Sequence, residues 1–179
     1  MDTEARASRI KLLLMDVDGV LTDGRIFNVP DAEGKMFETK GFDSQDGIGL
    51  HWLSWKGIRT GVISGRDSLA TEERARQCKM TYVYQGHIEK IPILEEILAK
   101  AQVDRSEVAY IGDDLTDVVI MHRVGFAVAT ANARPEVKAA AHYVTAAPGG
   151  AGAVRETIET ILKAQGLWGE ILQHYELGG

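Results

Sequence analysis

A single cysteine, no apolar run long enough to cross a membrane and a shortage of basic residues are the absences that first narrow what this chain can be. Lone Cys78 cannot close an internal disulfide, which fits a reducing compartment, the cytoplasm, and leaves the thiol as small filling in a helix. No stretch approaches the ~20 apolar residues of a spanning helix, and the polar start over 1–11 lacks the apolar core of a signal peptide, so no membrane partner is expected. Twenty basic side chains against 26 acidic ones give a formal net charge of −6. Such a chain repels a phosphate backbone, it has no basic stripe with interleaved aromatics, and nucleic acid is excluded as the expected partner. His51, His87, His122, His142 and His174 show no metal-ligand spacing with one another, although His87 stands close to Lys90. The nearest thing to a phosphate-cradling loop, GVLTDGR at 19–25, lacks the required lysine and opens no helix.

What is present suffices for one core: 179 residues, 45% hydrophobic and 26% charged, without repeat, low-complexity tract or linker, which predicts a single domain over 1–179. Five apolar, β-rich runs, Ile10–Met15, Arg59–Ile63, Thr81–Tyr84, Val108–Ile111 and Phe126–Ala129, read as strands. Helical spacing separates them, as in Ile91, Leu94, Leu98 and Ala101, or Leu115, Val118, Val119 and His122. This alternation predicts an α/β fold, a doubly wound, mostly parallel sheet with right-handed crossovers and helices on both faces. Two runs around a Pro-Asp-Ala-Glu-Gly turn read as a β-hairpin inserted over 25–40, after strand one. A last helix spans 153–164 and stops near Gly166, which leaves 165–179 as a C-terminal tail.

An open parallel sheet binds its ligands at the carboxyl ends of the strands. There the sequence puts Asp16 and Asp18 after strand one, Ser64, Gly65 and Arg66 after strand two, Lys90 after strand three, and Asp113 and Asp114 after strand four, with Asp117 a turn later. Carboxylates so crowded require a cation, and hard oxygen ligands select Mg2+ or Ca2+, with an anionic phosphoryl group as natural companion ligand. Asp16 is then the candidate nucleophile, Asp18 the general acid and base, and Lys90 and Ser64 the groups that stabilise the transferring phosphoryl. Each residue alone has an ordinary explanation, a turn, a cap or a surface charge; their shared position at one sheet edge points to chemistry.

The stretches DVDGVLTD at 16–23, ISG at 63–65, Lys90 and GDDLTD at 112–117 resemble the four motifs of the haloacid dehalogenase superfamily, and Thr22 and Asp23 extend the first as in its phosphatases. The resemblance implies a Mg2+ site formed by Asp16, the backbone carbonyl of Asp18, and Asp113, with Asp114 and Asp117 in support. Within the superfamily, GFDSQDGIGL at 41–50, YQGHIEK at 84–90, AYIGDDLTD at 109–117 and GGAGAVRE at 149–156 resemble the family of 3-deoxy-D-manno-octulosonate 8-phosphate phosphatases. That family implies no cap domain, a small-molecule sugar-acid phosphate as substrate, and a homotetramer in which such hairpins associate and such tails reach toward a neighbour's site. Gln45 and Ala151 stand where many relatives carry other residues, whereas Arg66 and Lys40 match positions suited to a sugar acid's carboxylate or hydroxyls. Relatives acting on nonulosonate 9-phosphates are an alternative. So, from other classes, are a phospho-Asp signalling receiver, against which Lys90 preceding Asp113 and the presence of Asp18 both speak, and a non-catalytic binding module.

Overall fold

The computed structural model describes residues 2–177. Six parallel strands form the main sheet: β1 (Leu12–Met15), β4 (Arg59–Ile63), β5 (Tyr82–Tyr84), β6 (Val108–Gly112), β7 (Phe126–Ala129) and the short β8 (Tyr143–Val144). Their order is β5-β4-β1-β6-β7-β8, so β1 lies in the interior, paired with β4 through Leu14 and Gly61 and with β6 through Leu14 and Tyr110. Strands β2 (Phe27–Pro30) and β3 (Met36–Thr39) pair antiparallel as a separate hairpin after β1, within the expected 25–40.

The uninterrupted apolar run of β1 is explained by cover on both faces. Leu13 and Met15 pack toward α1 (Thr3–Ala7), α2 (Ser44–Trp55), the end of α3 (Leu69–Gln77), α7 (Ala153–Ala164) and α8 (Trp168–His174). Leu12 and Leu14 pack toward α4 (Lys90–Ala101), α5 (Leu115–Met121) and α6 (Pro135–Ala140). All four side chains are fully buried, each stabilising the sheet by roughly 2 kcal/mol of removed apolar surface. Cys78 sits buried at the end of α3 in the first of these cores, and burial pushes its thiol pKa up, as suits an inert filler. Among the described residues no helix is long and apolar enough to cross a membrane.

Two of the quoted stretches turn out to brace one another. In GFDSQDGIGL, Asp43 caps α2 by accepting from the Gln45 amide at 2.6 Å and the Asp46 amide at 3.2 Å. Asp46, inside the first turn of α2, then caps a different helix: its Oδ1 accepts from the Arg155 amide of α7 at 2.7 Å, where the local N-cap, Gly152, has no side chain to offer. The other oxygen of Asp46 is buried without a partner. Burial pushes the carboxyl up to about 6, with Asp43 adding to the shift and the Arg155 amide opposing it.

The neutral carboxyl is therefore favoured in the folded chain, and its stabilising contribution is present below the ordinary carboxylate range near 3.8 and lost as pH rises to about 6. Asp46→Asn keeps an acceptor for Arg155 and carries no charge, so it is expected to gain on the order of 3 kcal/mol over wild type at pH 8 and almost none at pH 4. Thermal melts of both proteins at the two pH values check this.

The stretch 165–179, expected as a tail, contains α8, and residues 165–177 fold back on their own chain. Trp168 meets Trp52 edge-on at 5.5 Å, Trp52 Nε1 donates to the Tyr175 hydroxyl at 3.0 Å, and Lys56 pairs with Glu170 at 2.6 Å. Residues 165–177 thus lie along α2 and α7, and the last two positions of the expected tail, 178 and 179, lie outside the described residues.

Candidate active site

From β1 the chain winds outward through β4 and β5, then crosses back to β6 on the other side of β1. The carboxyl ends of β1 and β6 therefore flank the crevice where the winding reverses, the place at which such sheets bind ligands. A cavity of about 290 Å³ opens there, lined by Asp16, Asp18, Ser64, Gly65, Arg66, Lys90, Asp113 and Asp114 together with Gly24, Ile88 and Thr116. Of the residues singled out in the sequence, Lys40 and Asp117 lie behind this wall. The side chains of Gln45, Ala151 and His87 are exposed and do not line it.

Lys90, the first residue of α4, enters the site almost fully buried. Its Nζ donates to Asp117 Oδ1 at 2.6 Å and to the Tyr110 hydroxyl at 3.1 Å, and lies 3.1 Å from Asp16 Oδ1. Burial works against the ammonium, yet the Asp117 and Asp16 carboxylates outweigh it and raise the lysine pKa above its usual value. Asp117 is saturated: Tyr110 also donates to its Oδ1, at 2.7 Å, while its Oδ2 accepts the amides of Asp113 and Asp114 at 3.0 and 3.2 Å. The second of these contacts belongs to a capping box whose other half is the Asp117 amide donating to the Asp114 side chain; Asp114 also accepts from the Leu115 amide at 2.7 Å at the start of α5. Asp114 thus caps its helix, whereas Asp113 turns into the crevice.

Ligand oxygens of Asp16, Asp113 and Asp117 lie within 4.8 Å of one another. Burial, then Asp117, pushes Asp16 up to about 6, with Lys90 opposing; burial, then Asp117 and Asp16, pushes Asp113 up to about 7. Asp113 Oδ1 is buried and has no partner. A hard divalent cation fits this set: it supplies the missing partner of Asp113 and removes the repulsion between Asp113 and Asp16. Asp117, with both oxygens already engaged, orients Lys90 and the Asp113 backbone and is poorly placed to be a ligand.

Without an ion, the raised carboxyls contribute most stability near pH 4 and lose it as pH climbs through about 6 and 7. Excess Mg2+ is expected to raise the melting temperature, and by more at pH 8 than at pH 5, because the ion competes with the protons of Asp16 and Asp113. Melts in EDTA and in Mg2+ at both pH values check this; an equal shift at both would contradict it.

Backbone fit explains the glycines around these carboxylates. Gly19 adopts a left-handed φ of +88°, and any side chain there would overlap the Asp113 carboxylate. Its carbonyl accepts from Asn132 Nδ2 at 3.1 Å, Asn132 Oδ1 accepts from the Gly149 amide at 2.6 Å, and Gly150 donates to the Val20 carbonyl at 2.9 Å. Gly149 packs so tightly on the Gly19 carbonyl that a Cβ would overlap it. Thus GGAGAVRE holds the Asp16–Asp23 loop from beneath, and Asn132, which sequence reasoning did not single out, links the two.

On the opposite side the hairpin reaches the cavity mouth. Lys40 Nζ donates to Asp18 Oδ1 and lies 2.9 Å from Glu38 Oε1, while Arg66 donates to Glu38 Oε2 and stands 3.9 Å from Asp18 Oδ2. Lys40, expected to touch substrate, is 1% exposed and sandwiched between two carboxylates. The Arg66 guanidinium and, less, Lys40 hold Glu38 below the usual carboxylate range, burial opposing them. Tyr110 and Glu38 were also missed in the sequence. Their signals were there: a phenol in an otherwise aliphatic strand, which must find a partner when buried, and one acid among the apolar residues of β3.

A conserved-domain description, haloacid dehalogenase-like hydrolase, matches residues 56–156. The chain belongs to the haloacid dehalogenase-like hydrolases. More narrowly, it is 43% identical over 164 residues to the 3-deoxy-D-manno-octulosonate 8-phosphate phosphatase of Yersinia pestis, covering 92% of this chain and 86% of that protein. The crystal structure of the Yersinia pestis phosphatase superposes with a TM-score of 0.87 at 43% identity, covering 93% and 88% of the two chains. The Moraxella catarrhalis phosphatase of the same name, solved with a magnesium ion, a phosphate ion and a KDO molecule, superposes with a TM-score of 0.90 at 38% identity over 97% of each chain.

Proposed function

We propose that this chain is a Mg2+-dependent phosphomonoesterase that hydrolyses 3-deoxy-D-manno-octulosonate 8-phosphate to the free sugar acid and phosphate, a step toward lipopolysaccharide in the cytoplasm. The observation that carries the reading is the meeting of Asp16, Asp113 and Lys90 in one crevice, with the ligand oxygens of the two acids within 4.8 Å. The likeness to phosphatases of that name supports the substrate. The shared sheet, helix-covered on both faces, supports reading 1–179 as one phosphatase domain.

Asp16, with the Asp18 carbonyl and Asp113, holds Mg2+, which when bound neutralises these acids and draws in the phosphoryl oxygens. Asp16 attacks phosphorus in line; the ester P–O bond breaks as the aspartyl phosphate forms, and Asp18 gives a proton to the departing alkoxide. Asp18 then takes a proton from the water that attacks the acyl phosphate, which releases phosphate and restores Asp16. Lys90 steadies Asp16 and, with the Ser64 hydroxyl, the charge on the transferring group. Gly65 leaves the cavity wall open beside Ser64, and Arg66, with Lys40 behind it, addresses the sugar acid's carboxylate.

Phosphate release with Mg2+ across a panel of sugar phosphates tests this. The highest kcat/KM is expected for 3-deoxy-D-manno-octulosonate 8-phosphate; preference for a nonulosonate 9-phosphate would move the substrate within the class, and preference for simple hexose phosphates would overturn it.

The hairpin also supports assembly into a homotetramer. Phe27, Val29, Met36 and Phe37 leave 41–63% of their surface exposed on two short strands, an apolar patch that needs cover. Phe37→Asp is expected to shift the protein from tetramer to smaller species in sedimentation velocity, and an unaltered tetramer would place the interface elsewhere.

A further inference from the structure

Glu38 stands just behind the cavity mouth, in contact with Arg66, and the catalytic steps above do not use it. It sits on β3 opposite Asn28, accepts a hydrogen bond from Arg66 at one oxygen and lies 2.9 Å from Lys40 at the other. Of the three side chains, Arg66 alone lines the cavity, and it is 48% exposed against 15% for Glu38 and 1% for Lys40. A guanidinium recognises a carboxylate through a planar fork of two N–H donors, and that geometry has value only when the plane is held. A long arginine anchored at its backbone alone spreads over many rotamers, and fixing one of them costs conformational entropy at the moment of binding. Glu38 grips Arg66 from a strand on a different part of the chain, and Lys40, itself tied to Asp18, keeps Glu38 in place.

Resting on the sugar-acid reading above, we propose that Glu38 is a positioning residue for the substrate's carboxylate: it presets the Arg66 guanidinium at the cavity mouth without touching the substrate itself. The hairpin thereby contributes to selectivity for acids among phosphate esters, although it brings no group to the reacting phosphorus. An ester that lacks a carboxylate gains nothing from the preset fork, so the contribution shows only in comparison between substrates.

The test compares kcat and KM of the Mg2+-loaded protein on 3-deoxy-D-manno-octulosonate 8-phosphate and on p-nitrophenyl phosphate, which has no carboxylate. For the sugar acid, Glu38→Ala is expected to raise KM about tenfold with kcat within about twofold, and Glu38→Gln, which keeps an acceptor oxygen, to raise it less. Both variants are expected to match wild type on p-nitrophenyl phosphate. Arg66→Ala is expected to raise KM for the sugar acid at least as much, and the double variant to be no worse than Arg66→Ala alone, since the two residues act as one unit. Equal losses on both substrates, an unchanged KM for the sugar acid, or additive effects in the double variant would each overturn the proposal. A wild type that treats the two substrates alike would instead remove the sugar-acid reading, and this proposal with it, before any variant is compared.

Discussion

Asp16→Asn is expected to lower phosphate release from every substrate by a thousandfold or more, on the order seen when a nucleophile is removed, while the protein stays folded. An amide cannot take up the phosphoryl group, and no other carboxylate among the described residues is placed as Asp16 is, directly after β1 and beside both Lys90 and Asp113. The same variant carries an opposite signature in stability. Burial and the nearby Asp117 raise the Asp16 carboxyl to about 6, so at pH 8 its ionised form is held at a cost to the metal-free fold. Asn carries no charge; in EDTA at pH 8 the variant is expected to melt higher than wild type. In Mg2+ the order is expected to reverse, because wild type gains an ion whose ligand the variant has lost. Phosphate release, a search for acid-stable phosphoenzyme and the four melts check the set, and an unimpaired rate would remove Asp16 as nucleophile.

Lys90→Met is expected to cost both activity and fold. Asp117 is fully buried, and the lysine 2.6 Å away is its counter-charge; removing one member of such a pair costs about 3 kcal/mol or more, because the remaining charge has no solvent to turn to. The Tyr110 hydroxyl and two backbone amides remain on Asp117, which keeps the loss from being complete. Turnover is expected to fall about 10²- to 10³-fold as the charge facing the transferring phosphoryl disappears. Lys90 also opposes the upward shift of Asp16, so its loss is expected to move the acidic limb of the rate profile to higher pH. Urea melts measure the first effect and pH profiles of kcat/KM the other two; a variant as stable as wild type would overturn the reading of Lys90 as the counter-charge of Asp117.

The chemistry at the strand ends was legible because geometry leaves it little choice. A parallel sheet with covered faces writes its strands as apolar runs, and Arg59–Ile63 and Phe126–Ala129 emerged with the expected bounds. Whatever polar residue follows such a run stands at the ligand edge, which is how Asp16, Ser64 and Asp113 were found. Ile10 was assigned to β1 on its hydrophobicity and is buried, yet it stands outside the ladder, which begins at Leu12. Side-chain direction was less legible. Lys40 looked like a ligand for substrate until the hairpin placed it between Asp18 and Glu38, a pairing fixed by tertiary approach rather than by spacing. The helix in 165–179 escaped notice because its seven residues are too short for a periodic pattern, and packing of Trp168 and Ile171 on Trp52 and α7 is what makes it helical.

The contact between Gly19 and the Asn132–Gly150 region joins residues more than a hundred positions apart. On a ribosome that has delivered only the first half of the chain, β1 lacks β6 at its side and the loop after it has nothing beneath it. Products of interrupted translation that end before β6 therefore carry Asp16 without the strand and the loop support that position it, and are expected to release no phosphate.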